Sequence, residues 1–145
     1  MTTRRTLLLA APAMVFAGRA LAASVAVTLY KNPECGCCEG YAEYLRAQGF
    51  TVTVKASNDL AEISRKAGVP PDLQGCHTAF IGEYVVDGHV PVKAINKLLA
   101  DRPAIKGIAL PGMPAGSPGM GGEKLGSFTI YAIGQDGKSN VYMTL

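Results

Sequence analysis

Between Ser24 and Lys55 the chain changes its hydrophobic period twice, and this limits the available folds more than any other feature. Ser24 to Tyr30 (SVAVTLY) is an apolar, β-branched run that reads as a buried strand. Cys38, Tyr41, Ala42 and Leu45 then recur at helical spacing, and Gly49 is a suitable C-terminal stop. Thr51 to Lys55 (TVTVK) alternates as a second strand. A strand, a helix and a strand in that order form a right-handed crossover that packs the helix against one face of a sheet.

The pattern continues with a second helix starting at Asn58 and Asp59, carrying Leu60, Ile63 and Ala67 on one face and ending at Gly68. His77 to Ile81 and Tyr84 to Val86 flank Gly82-Glu83 as a hairpin. Pro91 opens a third helix with Val92, Ile95, Leu98 and Leu99, halted before Pro103. This βαβα then ββα order predicts an α/β, thioredoxin-like core over residues 25–100. Phe128 to Ile133 and Asn140 to Thr144 predict an added C-terminal β-hairpin around Gln135-Asp136-Gly137. Gly107 to Gly126 holds seven glycines and three prolines in twenty residues, so a long loop without regular structure is expected there.

The first residues have the form of an export signal. Arg4 and Arg5 precede an apolar run from Leu7 to Ala17, and Ala20-Leu21-Ala22 suits a signal peptidase cutting before Ala23. The run is too short for a bilayer core of about 30 Å, which takes roughly 20 apolar residues. The arginine pair leaves both the general secretory and the twin-arginine route open. The expected organisation is thus a cleaved signal over 1–22 and one domain over 23–145, an exported protein without a membrane anchor. Cleavage would remove three of fourteen basic residues and no acids, leaving eleven against eleven acidic. Such a balanced chain has no basic patch for nucleic acid or anionic lipid.

All four cysteines lie beyond the signal, at Cys35, Cys37, Cys38 and Cys76. Neighbours this close shut loops too small to restrain an unfolded chain, so the cluster points to chemistry more than to stapling. Pro33-Glu34-Cys35-Gly36-Cys37-Cys38 stands at the start of the first helix, where free backbone N–H groups and the helix dipole favour thiolate. Two readings follow: disulfide exchange, with Cys35 attacking and Cys38 resolving, or capture of a soft metal.

Three features favour the metal. A two-thiol exchange has no use for Cys37. Cys76 precedes a strand whose leading loop packs against the helix start in this fold. Met113 and Met120 add thioethers, which suit copper(I) better than zinc. Zinc is the weaker fit, because structural zinc sites use separated cysteine pairs. His89, in the loop before the third helix, is an accessory ligand candidate, as are Met113 and Met120. His77 reads as a half-buried, hydrogen-bonded side chain, and Tyr41 and Tyr44 as helix packing.

Cys35-Gly36-Cys37-Cys38 after Tyr30-Lys31-Asn32-Pro33, then Cys76-His77-Thr78, Asp87-Gly88-His89-Val90-Pro91 and the Leu110 to Met120 segment together resemble the CopG-like family. These are periplasmic, thioredoxin-like copper-resistance proteins, and the resemblance covers roughly Val25 to Thr144. It implies copper handling with Cys35, Cys37, Cys38 and Cys76 as ligands, and with His89 or the methionines as accessories. Copper ions are the expected cargo, and another periplasmic copper protein is the expected partner. A thiol–disulfide oxidoreductase and a copper chaperone are the competing readings.

Overall fold

The computed structural model describes residues 24–145, so the export signal expected over 1–22 lies outside the described residues. Among the described residues no helix is long and apolar enough to cross a membrane.

The chain runs β1 (Ala26–Lys31), α1 (Gly36–Ala47), β2 (Thr51–Ala56), α2 (Leu60–Lys66), β3 (His77–Ile81), β4 (Tyr84–Gly88), α3 (Val92–Asp101), β5 (Ile105–Leu110), β6 (Thr129–Gly134) and β7 (Ser139–Thr144). A short 3₁₀ turn, Pro71–Leu73, leads towards β3. All seven strands form one mixed sheet in the order β2-β1-β3-β4-β5-β6-β7. β1 pairs parallel with β2 and antiparallel with β3, and β3 pairs antiparallel with β4. β4 and β5 are parallel, and β5, β6 and β7 continue antiparallel.

Alternation along the strands sorts side chains between the two faces of the sheet. Val27, Leu29, Ala79, Ile81 and Val86 join Tyr41 and Leu45 of α1 and Ile95 and Leu98 of α3 in the larger core. Burying a side chain of this size stabilises by roughly 1.5–3 kcal/mol, so this layer fixes α1 against β1 and β3. Val69, Leu73, Val85, Ala109 and Ile133 form the smaller core. The helical face through Cys38, Tyr41, Ala42 and Leu45 is the buried face of α1. In α2 the buried positions are Leu60 and Ser64, whereas Ile63 and Ala67 are only half-buried. That face is turned by one residue from the apolar pattern, because Ser64 is drawn inward by hydrogen bonds described below.

One expectation is overturned. The glycine-rich stretch is not free of regular structure: β5 runs into it as far as Leu110 and pairs with β4 and β6. Gly107 disguises this strand. It sits where the β4 backbone comes so close that a Cβ would run into the Val85 carbonyl oxygen. The addition beyond β4 and α3 is therefore three strands, a hairpin resting on β5.

Candidate metal centre

The C-terminal end of β1, the start of α1, the start of β3 and the end of β4 meet at one edge of the sheet. Lys31, the last residue of β1, stands opposite His77, the first of β3. The cysteines hang from the two segments that adjoin this rung.

On the α1 side, Cys35 occupies the N-cap position without a side-chain capping bond. Its N–H donates to the Asn32 carbonyl at 3.0 Å, closing a turn. Lys31 shares a strand face with Val27 and Leu29, which buries it to 5 % exposure beneath that turn. Its ammonium donates to the carbonyls of Asn32 (3.3 Å), Pro33 (3.1 Å) and Cys35 (3.3 Å) and lies 3.2 Å from the exposed Glu39 carboxylate. Cys35 and Cys38 are joined as a disulfide, with Cα atoms 5.5 Å apart. Cys37 is free and partly exposed.

On the β3 side, Gln74 to Cys76 is tied down from the opposite face of the sheet. Asp87, fully buried on β4, accepts from the Gly75 N–H at 2.5 Å and from the Thr78 hydroxyl at 2.7 Å. Thr78 in turn lies 2.6 Å from the Ser64 hydroxyl of α2; with the Thr78 proton on Asp87, the one Ser64 proton goes to Thr78, and the Leu60 carbonyl 3.0 Å away is its alternative acceptor. Burial raises the Asp87 carboxyl to about 6, against the lowering effect of its two donors.

These supports bring all four sulfurs together. Cys37 Sγ lies 3.5 Å from Cys35 Sγ and 3.7 Å from Cys76 Sγ, and Cys38 Sγ lies 3.4 Å from Cys76 Sγ. The whole set falls within 4.8 Å, a spread that could hold a metal ion. Burial, together with the neighbouring Cys37 thiol, pushes the Cys76 thiol up to about 12. A metal binding there must therefore displace a proton.

Two histidines extend the cluster. His89 Nε2 lies 3.2 Å and His77 Nδ1 3.5 Å from Cys76 Sγ, so Cys76, His77 and His89 form a second group within 4.8 Å. His77 is fully buried, not half-buried as its position suggested, and among the described residues its Nε2 has no partner in hydrogen-bonding geometry. Burial pulls its pKa down to about 3, with the His89 ring beside it adding to the shift, so the ring is neutral. Its ring stacks on Tyr41 at 4.5 Å and meets His89 edge to face at 4.8 Å. Burial also lowers the pKa of His89. Tyr41 and Tyr44 do more than pack: Tyr41 donates to the Val90 carbonyl at 2.8 Å, and the Tyr44 oxygen accepts from the Val92 N–H at 2.9 Å.

Met113 and Met120 belong to the glycine-rich segment that follows β5. Met113 is 42 % exposed and left-handed (φ 45°), while Met120 is half-exposed and its N–H donates to the Ser117 carbonyl at 2.9 Å. Sequence reasoning missed Lys31, Asp87 and Pro118, whose carbonyl lies 2.6 Å from His89 Nδ1. For Lys31 a signal existed, since the period of β1 puts it on the face of Val27 and Leu29. For Asp87 and Pro118 there was none.

Fold and cluster together define a mixed α/β protein with a cysteine and histidine group suited to a metal ion. Residues 73–120 match the profile of a family described as "Protein of unknown function, DUF411", a span that takes in Cys76, His77 and His89 but not the first three cysteines. Two solved structures, "Copper resistance protein copG" in Form 1 and Form 2, are similar to this chain. Each is 34 % identical, covering 84 % of this chain and 98 % of that one with a TM-score of 0.78. The chain belongs to the CopG family of copper-resistance proteins. No curated protein sequence matches it.

Proposed function

We propose that this chain is a periplasmic copper(I)-binding protein of copper resistance, holding its cargo through Cys35, Cys37, Cys38 and Cys76. The carrying observation is the gathering of four sulfurs within 4.8 Å across two segments about forty residues apart in sequence. Once the Cys35–Cys38 disulfide is reduced, soft thiolate donors in such number favour copper(I) over zinc, and adjacent Cys37 and Cys38 suit bridging between ions. The name of the similar solved structures supports the same reading. The strand order β2-β1-β3-β4, with β1 and β2 parallel and α3 following β4, supports a thioredoxin-like core over residues 25–100. The sequence of residues 1–22 supports a cleaved export signal and one domain over 23–145. An exported copper carrier of this kind would exchange its ion with another periplasmic copper protein.

A second reading rests on the Cys35–Cys38 disulfide: a thiol–disulfide oxidoreductase in which Cys35 attacks and Cys38 resolves. Copper(I) competition against a chelator, on reduced protein under anaerobic conditions, separates the two when Cys37→Ser is included. Copper binding predicts a loss of about tenfold or more in Cys37→Ser, with little reduction of a model disulfide by either protein. Equal affinity together with fast disulfide reduction by both would hand the case to the oxidoreductase.

A further inference from the structure

We propose that the glycine-rich segment orients His89 as a nitrogen donor to the ion held at Cys76, with the Pro118 carbonyl fixing the ring in its Nδ1–H form. The proposal rests on reading Cys76 as a copper(I) ligand.

The argument begins with a single proton. Nδ1 of His89 lies 2.6 Å from the Pro118 carbonyl oxygen, and a carbonyl can only accept. Nδ1 therefore carries the hydrogen. The ring is fully buried, and with Nδ1 carrying the hydrogen the neutral imidazole has its lone pair on the other nitrogen. That nitrogen is Nε2, 3.2 Å from Cys76 Sγ. In the metal-free protein Nε2 can accept the Cys76 S–H. Once that proton leaves, the sulfur and the nitrogen are both free to bind one ion. Histidines that bind metals almost always donate their second ring N–H to a carbonyl or carboxylate, which is the arrangement found here. His77 has no well-formed bond of this kind among the described residues: the Gly88 carbonyl acts on its ring, but its Nε2 meets no partner in hydrogen-bonding geometry, and the ring stacks on Tyr41. We therefore assign the donor role to His89 and a packing role to His77.

Pro118 is held in place by its neighbours. The Ser117 hydroxyl, buried at 1 % exposure, donates to the Pro114 carbonyl at 2.7 Å. Gly119 then lies directly on the backbone of α1. A Cβ at Gly40 would stand 2.9 Å from the Gly119 carbonyl oxygen, and one at Gly119 (φ +77°) would run into the Tyr41 nitrogen. Glycine is thus needed on both sides of the contact. These two glycines give the segment a task that its composition alone did not reveal.

The test is ring-nitrogen NMR of the reduced, ¹⁵N-labelled protein under anaerobic conditions. Metal-free wild type should show His89 in the Nδ1–H form. Adding copper(I) as its acetonitrile complex should then move the His89 Nε2 resonance and leave the His77 nitrogens in place. In Gly40→Ala the helix itself gains from alanine, but the added methyl pushes the segment away. That variant should lose the single tautomer and bind copper(I) about tenfold more weakly, the usual scale for losing an orienting partner. An Nε2–H form in wild type would overturn the proposal. So would a His89 ring that stays unmoved while thiolate-to-copper absorption grows in, an outcome that leaves the copper(I) reading standing. Absence of that absorption would overturn both. The wild-type measurements decide the matter even if Gly40→Ala does not fold.

Discussion

The segments Asn32 to Cys38 and Gln74 to Cys76 both deliver sulfur to the same place, yet they are held in opposite ways. The first is supported from the α1 face by a buried cation, with Lys31 drawing three carbonyls of the turn onto its ammonium. The second is supported from the α2 face by a buried anion, with Asp87 holding the Gly75 N–H and linking through Thr78 and Ser64 to α2. Both supports start from one rung, Lys31 opposite His77, whose neighbour Thr78 pairs with Asp87. Carbonyls face the cation and an N–H faces the anion, so each segment's peptide groups are fixed by the charge that suits them. The lesson is that a candidate metal site can be preorganised by buried charges that lie outside the cluster itself.

The largest effect should follow from breaking the anionic side. Asp87→Ala leaves the part-buried Gly75 N–H without its acceptor and the Thr78 hydroxyl with only Ser64 to donate to, and the two lost bonds to a charged group are worth roughly 1.5–3 kcal/mol each. Denaturant unfolding of the metal-free protein should show a loss of about 3 kcal/mol. Asp87→Asn should cost less than half as much. Its amide oxygen can still accept from Gly75, while its NH₂ donates to Thr78. Thr78 can then donate to Ser64, and Ser64 to the Leu60 carbonyl, so the whole relay reverses direction with its partners kept. An Asn variant as unstable as the Ala variant would mean that the negative charge itself is what the fold requires.

This asymmetry explains what could be read in advance. The order of elements up to α3 was legible because each carries its own period, and Cys38, Tyr41, Ala42 and Leu45 form the buried stripe of α1. The CxCC cluster was legible because its members are neighbours in the chain. Bringing Cys76 to them was inferred from element order, but the means were hidden. Asp87, Thr78 and Ser64 lie on three different elements, and no local pattern marks a buried serine in an otherwise apolar stripe. β5 escaped because Gly107, placed for a close backbone approach, looks like the start of a loop. The contact of Pro118 with His89 spans 29 residues and uses a backbone carbonyl, which has no signature in the side-chain sequence.

A smaller effect is expected from the cationic side. Lys31→Met keeps most of the apolar stem that fills the space under the turn and removes only the donor. Three carbonyls would lose their shared partner, but they border the partly exposed Cys37 segment, where water can replace part of what is lost. The expected cost is about 2 kcal/mol. Copper(I) affinity should fall as well, because the turn that carries Cys35 and Cys37 is then free to open. A variant with wild-type stability and copper affinity would show that α1 packing alone holds the turn.

The smallest effect separates two ways in which Lys31 could act. Its ammonium touches the carbonyls and also the Glu39 carboxylate, 3.2 Å away in the first turn of α1. The Glu39 side chain is 54 % exposed, so water and salt screen its half of the pair. Exposed pairs of this kind are worth about 0–1 kcal/mol, and a carboxylate near a helix N-terminus adds a few tenths through the dipole. Glu39→Gln should therefore cost about 0.5 kcal/mol or less, shrinking further in high salt, and should leave copper(I) affinity unchanged. If Glu39→Gln instead matched the loss in Lys31→Met, the turn would be held by the ion pair and not by its carbonyls. The contrast with the Asp87 side would then fail, because one support would depend on solvent-screened charge while the other remained buried.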